Sequence, residues 1–501
     1  MYNMNKVYNY IIVGTGPTGL SLAWYLANEK KTVLLIDKET SIGGCHRVQR
    51  VNGLLTEHGP RVYSDVYLNF IALLNEMNIN FNDLFTEYAF DLSTIGNKNP
   101  NSFKLFEMIA FVFAFINLVF NPIYGQDISM KTFIDTNSFT PESKDYIDRL
   151  CRLTDGAQTD RYTLFQFLQL INNQQLYKLY QPVKPNDDGL LSKWENKLKE
   201  TRLVTFLMNH DVISLSNYGN TINNITIMNR ETNEKFIIKG EKYILAIPPK
   251  PLKSILLKSE SAKYAFGDID NIIKWSNNNS YFEYIPITLH WKTKLDLPKI
   301  WGFPASDWGL AFIVLSNYMT FDRPNELENS KTVISTAITF TDRKSNFINK
   351  TANESTMDEM HVEVLRQLRL SYPDIPNPDF MLTSPQVYKD NDKWVNIDTA
   401  FVSTPDANQF LPSSSLIFNN LYNCGAQNGK SNYHFTAMET AVANALYLFN
   451  KLEPNNKCKR SILGYKQITN YVHIGIVLSI ILLGLIIYHK KIIDYFQKIS
   501  I

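Results

Sequence analysis

Tyr10-Ile11-Ile12-Val13-Gly14-Thr15-Gly16-Pro17-Thr18-Gly19, followed by Leu20-Ser21-Leu22-Ala23-Trp24-Tyr25-Leu26, decides the fold. Four apolar residues read as a strand, the glycine run as a tight turn, and the spacing after it as a helix. This is a GxGxxG pattern in the strand–turn–helix setting that gives it meaning. Gly14 permits the turn, Gly16 lets a pyrophosphate approach the backbone, and Gly19 lets helix and strand pack closely. The helix N-terminus then offers unpaired N–H groups and a positive dipole end to phosphates. A second apolar strand, Thr32 to Ile36, ends in Asp37. That acid, with Lys38 beside it, stands about 20 residues on, where a carboxylate accepts ribose hydroxyls. The pattern predicts an α/β, Rossmann-like dinucleotide-binding fold.

Ser41-Ile42-Gly43-Gly44 follows almost directly, and then Thr56-Glu57-His58-Gly59-Pro60-Arg61. A nicotinamide-binding domain has no need of a second glycine pair here. With these residues, the first part of the chain resembles the FAD-dependent superfamily of flavin amine oxidases, protoporphyrinogen oxidases and phytoene-type desaturases. The resemblance implies that the pair Gly43-Gly44 passes the FAD pyrophosphate and that the loop Gly59-Pro60 passes the isoalloxazine ring. Asp211–Leu215 begins a hairpin-like run through Ile222–Met228 and Phe236–Ile238. It leads to Lys242–Pro249, which looks like the superfamily's return strand. Val212 would then sit against the adenine. Asn420–Gly425 and Met438–Ala445 resemble the closing strand, glycine and helix under the flavin.

Three departures stand out. The superfamily's arginine after the glycine pair is replaced by Cys45, with Arg47 able to supply the charge. The acid after the closing glycine is replaced in Gly425-Ala426-Gln427, where Gln427 stands in as a neutral partner. The amine-oxidase lysine and aromatic pair have no counterpart in Ile285–Trp291 or at Ala437, so a typical amine oxidase is not expected. No cysteine matches the covalent flavin site, so FAD is expected to bind non-covalently. Cys424 reads as a strand residue. By resemblance alone, Arg61, Tyr433 and His434 are the catalytic candidates near the ring; His58 is read as shaping its loop. Hydride would pass from substrate carbon to flavin.

The 501 residues suffice for two or three domains. Hydrophobic residues at 45 % and charged residues at 20 % exclude a disordered chain. Fifty basic residues against 48 acidic ones give a net charge of +2, which argues against nucleic-acid binding. Cys45, Cys151, Cys424 and Cys458 are too scattered for a disulfide framework or paired-cysteine zinc site, and no metal is expected. The sequons at Asn224 and Asn349 are read as products of a high asparagine content.

The expected layout interleaves a cofactor domain (1–90, 206–255, 396–455) with a largely helical part (91–205) and a substrate-domain sheet (256–395). In the helical part, 155–171 and 186–194 resemble the protoporphyrinogen oxidases and desaturases, whose substrates are lipophilic. A linker (456–471), an apolar segment (472–488) and a short polar tail (489–501) follow. The segment, VHIGIVLSIILLGLIIY, shows no polar face and is read as a single-pass C-terminal anchor in a lipid bilayer. Lys457, Lys459, Arg460 and Lys466 before it favour a cytosolic N-terminal domain. A shorter run, Met108–Phe120, is read as a buried helix or as one dipping into a leaflet. The expected activity is oxidation or desaturation of a lipophilic small molecule. Two other readings stand beside it: a UDP-galactopyranose-mutase-like flavoenzyme with Arg149, Arg152 and Arg161 as pyrophosphate clamps, and an inactive membrane-tethered binding protein. The oligomeric state is left open.

Overall fold

A computed structural model describes residues 7–59, 61–89, 103–281, 284–298, 301–302, 306–396, 400–456, 460–464, 467–475, 479 and 482. The strand β1 (Tyr8–Val13) ends in the apolar run Ile11-Ile12-Val13, and all its residues but Asn9 are buried. It lies at the centre of a five-stranded parallel sheet with β2 (Val33–Ile36), β3 (Val204–Leu207), β4 (Gly240–Leu245) and β5 (Leu421–Asn423), in the order β5-β4-β1-β2-β3. A sheet covered on both faces needs continuous apolar strands, which is why VLLI in β2 is wholly buried. The register aligns Val13 with Ile36 and with Leu245, and Leu245 with Asn423. Four strands therefore end along one edge, the place where open α/β sheets bind ligands.

Two helices cover one face of this edge. The helix α1 (Pro17–Asn28) starts at Gly16, and its Pro17 fills the first turn, where no N–H bond is lost. A second helix, Met438–Leu452, packs on α1 and carries twelve buried residues, including Glu439. The Glu439 carboxylate accepts hydrogen bonds from the backbone N–H groups of Asn69 and Phe70, capping the helix Leu68–Glu76. The meander His210–Tyr218, Thr221–Asn229, Lys235–Ile238 leads into β4.

A second sheet, antiparallel and five-stranded, contains Ile285–Trp291 between Thr332–Ile338 and Phe380–Thr383, with Leu310–Val314 and Trp301–Gly302 beyond. Within the segment read as a substrate-domain sheet, Ile285–Trp291 and Thr332–Ile338 are adjacent antiparallel strands. Between the sheets' sequence segments lie the helices Leu105–Phe120, Met130–Thr136, Pro141–Asp155, Leu164–Asn172 and Leu190–Glu200.

Most of the predicted anchor 472–488 falls outside the described residues. A helix covers 468–475. Among the described residues no helix is long and apolar enough to cross a membrane, so the architecture supports the Rossmann-like fold without adding support for the anchor. The helix Leu105–Phe120 is not the buried core helix that its composition suggests: several of its large apolar residues face outward.

Candidate functional site: a dinucleotide cradle and an apolar inner cavity

A cavity of about 570 Å³ opens at the aligned strand ends. That volume lies within the usual range for ligand sites, roughly 300–1,000 Å³. The sequence-predicted residues Gly14, Gly16, Pro17, Thr18, Asp37, Lys38, Gly44, Arg47, Val212, Gly425 and Gln427 all line it. They come from five separate elements. Gly14, Asp37 and Gly425 stand past the aligned ends of β1, β2 and β5, while Gly44 and Arg47 reach the cavity from a short turn and Val212 from the antiparallel meander.

The Asp37 carboxylate accepts hydrogen bonds from Thr15 N–H at 2.7 Å and Thr15 Oγ1 at 2.6 Å, and from Glu39 N–H at 3.0 Å. These bonds fix the acid over the glycine turn. The glycines divide by what a side chain would meet. A Cβ on Gly14 would lie 2.4 Å from the Ala246 carbonyl oxygen, and one on Gly19 2.1 Å from that of Gly14. Both positions serve protein packing, and Gly19 lies outside the cavity wall. A Cβ on Gly16 would find only the Gly44 Cα, at 3.8 Å. The protein has room there, and the space kept clear is the cavity itself. Gly43 packs beneath, where a Cβ would strike Leu191, and does not line the cavity.

Arg47 is almost fully buried, with its guanidinium 3.8 Å from Glu39 at the cavity wall. Gln427 folds over Gly425 and donates from Nε2 to the Ile247 carbonyl at 3.1 Å. Cys424 lies one residue past β5, and burial pushes its thiol far above the ordinary range.

A smaller cavity of about 140 Å³ adjoins the first and shares Cys45, His46, Phe401, Thr436 and Ala437 with it. Its other walls include Tyr67, Tyr284, Ile313, Phe435 and Met438, with Gly59 and Arg61. Pro60 lies outside the described residues. Arg61 is the one Asp, Glu, Lys or Arg among the described wall residues, and its guanidinium donates to the Cys45 carbonyl. The helix Met438–Leu452 starts at this cavity and directs its positive end there.

Around Arg61 burial works against the charged forms of the neighbouring titratable groups. Burial, with the Arg61 charge adding to it, lowers His46 well below its usual range. Burial and the neighbouring Arg61 and Arg47 do the same to His58, which also meets the Asn396 amide at 2.9 Å. Burial raises Glu57 to about 7, against the Ser335 hydrogen bond and the Arg61 charge, which lower it. A carboxyl with a raised folded-state pKa favours the protonated fold. Its contribution is complete below the ordinary carboxylate range and is lost as pH rises through about 7. We expect unfolding free energy to fall by ~3 kcal/mol between those limits in the native chain. Denaturant midpoints of Glu57→Gln should lack that slope; an equal slope in both proteins would remove Glu57 as its source.

Tyr433 and His434 are not brought to either cavity. The Tyr433 ring packs edge-on against Tyr67 at 6.3 Å. The His434 ring lies between Phe165, at 4.4 Å, and Phe410, at 4.8 Å, and burial lowers its pKa to about 4. Arg149 pairs with Asp145, Arg152 with Asp148 and the Thr339 carbonyl, and Arg161 with the Asn278 carbonyl. None of the three lines either cavity, so the diphosphate clamp of the mutase reading is not assembled at either one. Sequence reasoning missed Glu57. Its signal was a lone carboxyl ending the apolar strand Leu54–Glu57, directly before the glycine loop.

The NAD(P)-binding Rossmann-like domain family matches residues 12–77. By sequence, no curated protein matches the chain. Among solved structures, a putrescine oxidase bound to putrescine is 13 % identical, with 90 % of this chain and 100 % of that one covered and a TM-score of 0.63. Cyclohexylamine oxidase from Brevibacterium oxydans is 12 % identical, covering 89 % and 100 %, at 0.59. A candidate protoporphyrinogen oxidase from Exiguobacterium is 13 % identical, covering 91 % and 100 %, at 0.54. At such identities the likeness is one of fold: the chain has the architecture shared by these flavin amine oxidase and protoporphyrinogen oxidase structures.

Proposed function

We propose that this chain, folded as the flavin amine oxidase superfamily folds, is an FAD-dependent oxidoreductase that oxidises a lipophilic small molecule. The observation that carries this reading is the adjoining pair of cavities: a dinucleotide cradle at the strand ends and, behind it, an apolar chamber walled by aromatic rings and one arginine. Gly16, Gly44 and the start of α1 would hold the pyrophosphate, Asp37 the adenosine ribose, and Val212 the adenine. FAD held there without a covalent bond supplies the two-electron acceptor for the hydride leaving the substrate. Arg61 and the positive end of the helix Met438–Leu452 place charge where negative charge develops on reduction. The apolar walls exclude water and favour an uncharged substrate; an ammonium group would face Arg61 with no carboxylate among the described wall residues.

The apolar run 472–488 serves as a C-terminal anchor with the cofactor domain on the cytosolic side, and the bilayer is the substrate's source. The lack of a polar face in that run and the basic residues ahead of it support this reading.

The test is the visible spectrum of the purified full chain. Flavin absorption, released as FAD on denaturation, with anaerobic bleaching by a lipophilic reduced compound, is the expected result. A folded, colourless chain that takes up no added FAD overturns the proposal.

A further inference from the structure

The helix Leu105–Phe120 is apolar on its outer face as well as its inner one. Its inward residues are Glu107, Ala110, Ala114, Leu118 and Val119. Its outward face carries Leu105, Ile109, Val112, Phe113, Ile116 and Phe120, each 44 to 70 % exposed. A surface helix of a water-soluble protein turns polar and charged residues outward, whereas one apolar all round is a core or membrane helix. Several hundred Å² of contiguous apolar surface result, where a soluble monomer's largest patch is roughly 300–600 Å². Asn117 is the one polar side chain on that face, and its amide folds back to donate to the Phe113 carbonyl at 3.0 Å. A polar group on a helix in lipid satisfies itself in this way.

The helix docks through Ala110, Ala114 and Leu118 in the core, through Phe111 stacked on Phe167 at 5.5 Å, and through one polar anchor. The buried Glu107 carboxylate accepts from Thr140 N–H at 2.7 Å, Thr140 Oγ1 at 2.9 Å, Ser143 Oγ at 2.8 Å and Lys104 N–H at 2.7 Å. The exposed face is therefore held rigidly outward.

A second observation identifies what covers it. The C-terminal helix begins at the same side of the molecule: Thr469 N–H donates to Asn172 Oδ1 at 3.0 Å, Gln467 Nε2 to Asn173 Oδ1 at 3.1 Å, and the His473 ring stands 6.3 Å from Phe120. Tyr471 and Ile474 are exposed there. The apolar run 472–488 thus begins beside the end of the apolar helix. Packed onto that face, a run apolar on every side would hide one side and turn the rest to water. A bilayer covers both at once.

We propose that the outward face of Leu105–Phe120 is buried in one leaflet of a lipid bilayer, as a second membrane contact beside the C-terminal run. The inference deepens the anchor reading but stands on its own observation. The test uses the full chain, reconstituted from detergent into phosphatidylcholine vesicles containing some phosphatidylserine. Phe113→Cys carries a nitrobenzoxadiazole label, Tyr218→Cys serves as the exposed control, and the labelled native chain supplies the background from its own cysteines. The label at 113 should shift to the blue on vesicles and be quenched by acyl-chain spin labels; the label at 218 should do neither. A chain that floats with its vesicles while the 113 label stays in water overturns this inference and leaves the anchor standing. A blue shift without lipid that grows with protein concentration also overturns it, in favour of a second copy of the chain. A chain carrying Ile481→Arg and Leu485→Arg that still floats, with the 113 label quenched, separates the inference from the anchor reading. In that background Phe113→Glu with Ile116→Glu should weaken vesicle binding more than about a hundredfold. Unchanged binding there would again overturn it.

Discussion

A Gly16→Val protein is expected to fold and to emerge without flavin. Gly16 has φ −69° and ψ 173°, an extended conformation that valine adopts readily. It precedes the first turn of α1, so no helix-interior position is spoiled. A Cβ there meets nothing closer than the Gly44 Cα at 3.8 Å. The two extra methyl groups project where a pyrophosphate must approach backbone N–H groups, and the cost falls on the ligand alone. FAD affinity should drop by at least about a hundredfold, near 3 kcal/mol. Titration of apoprotein by flavin fluorescence reads the affinity, and a melting curve matching the native apoprotein shows that the fold survived. Gly19→Ala makes the contrast: its methyl would lie 2.1 Å from the Gly14 carbonyl oxygen, so the protein itself should fail to accumulate. Retention of stoichiometric flavin by Gly16→Val would mean that the cradle binds something else.

The same glycines explain how much of the strand-end cavity was legible in the sequence. Gly14, Gly16 and Asp37 carry their roles in local geometry: a turn, a cleared space, and an acid at a strand end. Residues as distant as Val212 and Gln427 were placed by resemblance; Gln427 reaches the cavity past the end of β5 and Val212 from the antiparallel meander. The inner cavity was not legible in that way. Gly59, Arg61 and Met438 were named by resemblance, but its other walls include single residues such as Tyr67, Tyr284 and Phe401, with no spacing to link them. Adjacency in sequence misplaced Tyr433 and His434: they precede the helix that faces the cavity, yet both rings turn into aromatic packing. The run Met108–Phe120 was misleading for a different reason. Composition gives the hydrophobicity of a helix, while the side that faces outward depends on which residues dock, and here Glu107, Ala110, Ala114 and Leu118 do.

Arg61→Met should have the second large effect, and it tests the chemistry apart from cofactor binding. The guanidinium donates to the Cys45 carbonyl at the junction of the two cavities, so its charge lies within reach of a ring held there. A unit charge ~5 Å from developing negative charge, at an effective dielectric near 20, is worth ~3 kcal/mol. Removing it should lower the two-electron flavin potential by about 70 mV. The rate of anaerobic flavin reduction should fall by about a hundredfold. Arg61 also lowers Glu57, so its loss should move the Glu57 titration above about 7 and shift any alkaline limb of the rate profile upward. Arg61→Lys should restore most of the potential, because it restores the charge, with less of the rate, because it lacks the planar fork that grips the Cys45 carbonyl. Charge selection provides the sharpest readout. With the cation gone, reduction by amines should improve relative to reduction by neutral lipophilic compounds, because the ammonium group no longer meets like charge. An Arg61→Met protein with native potential and native preference would place the reacting centre away from this cavity.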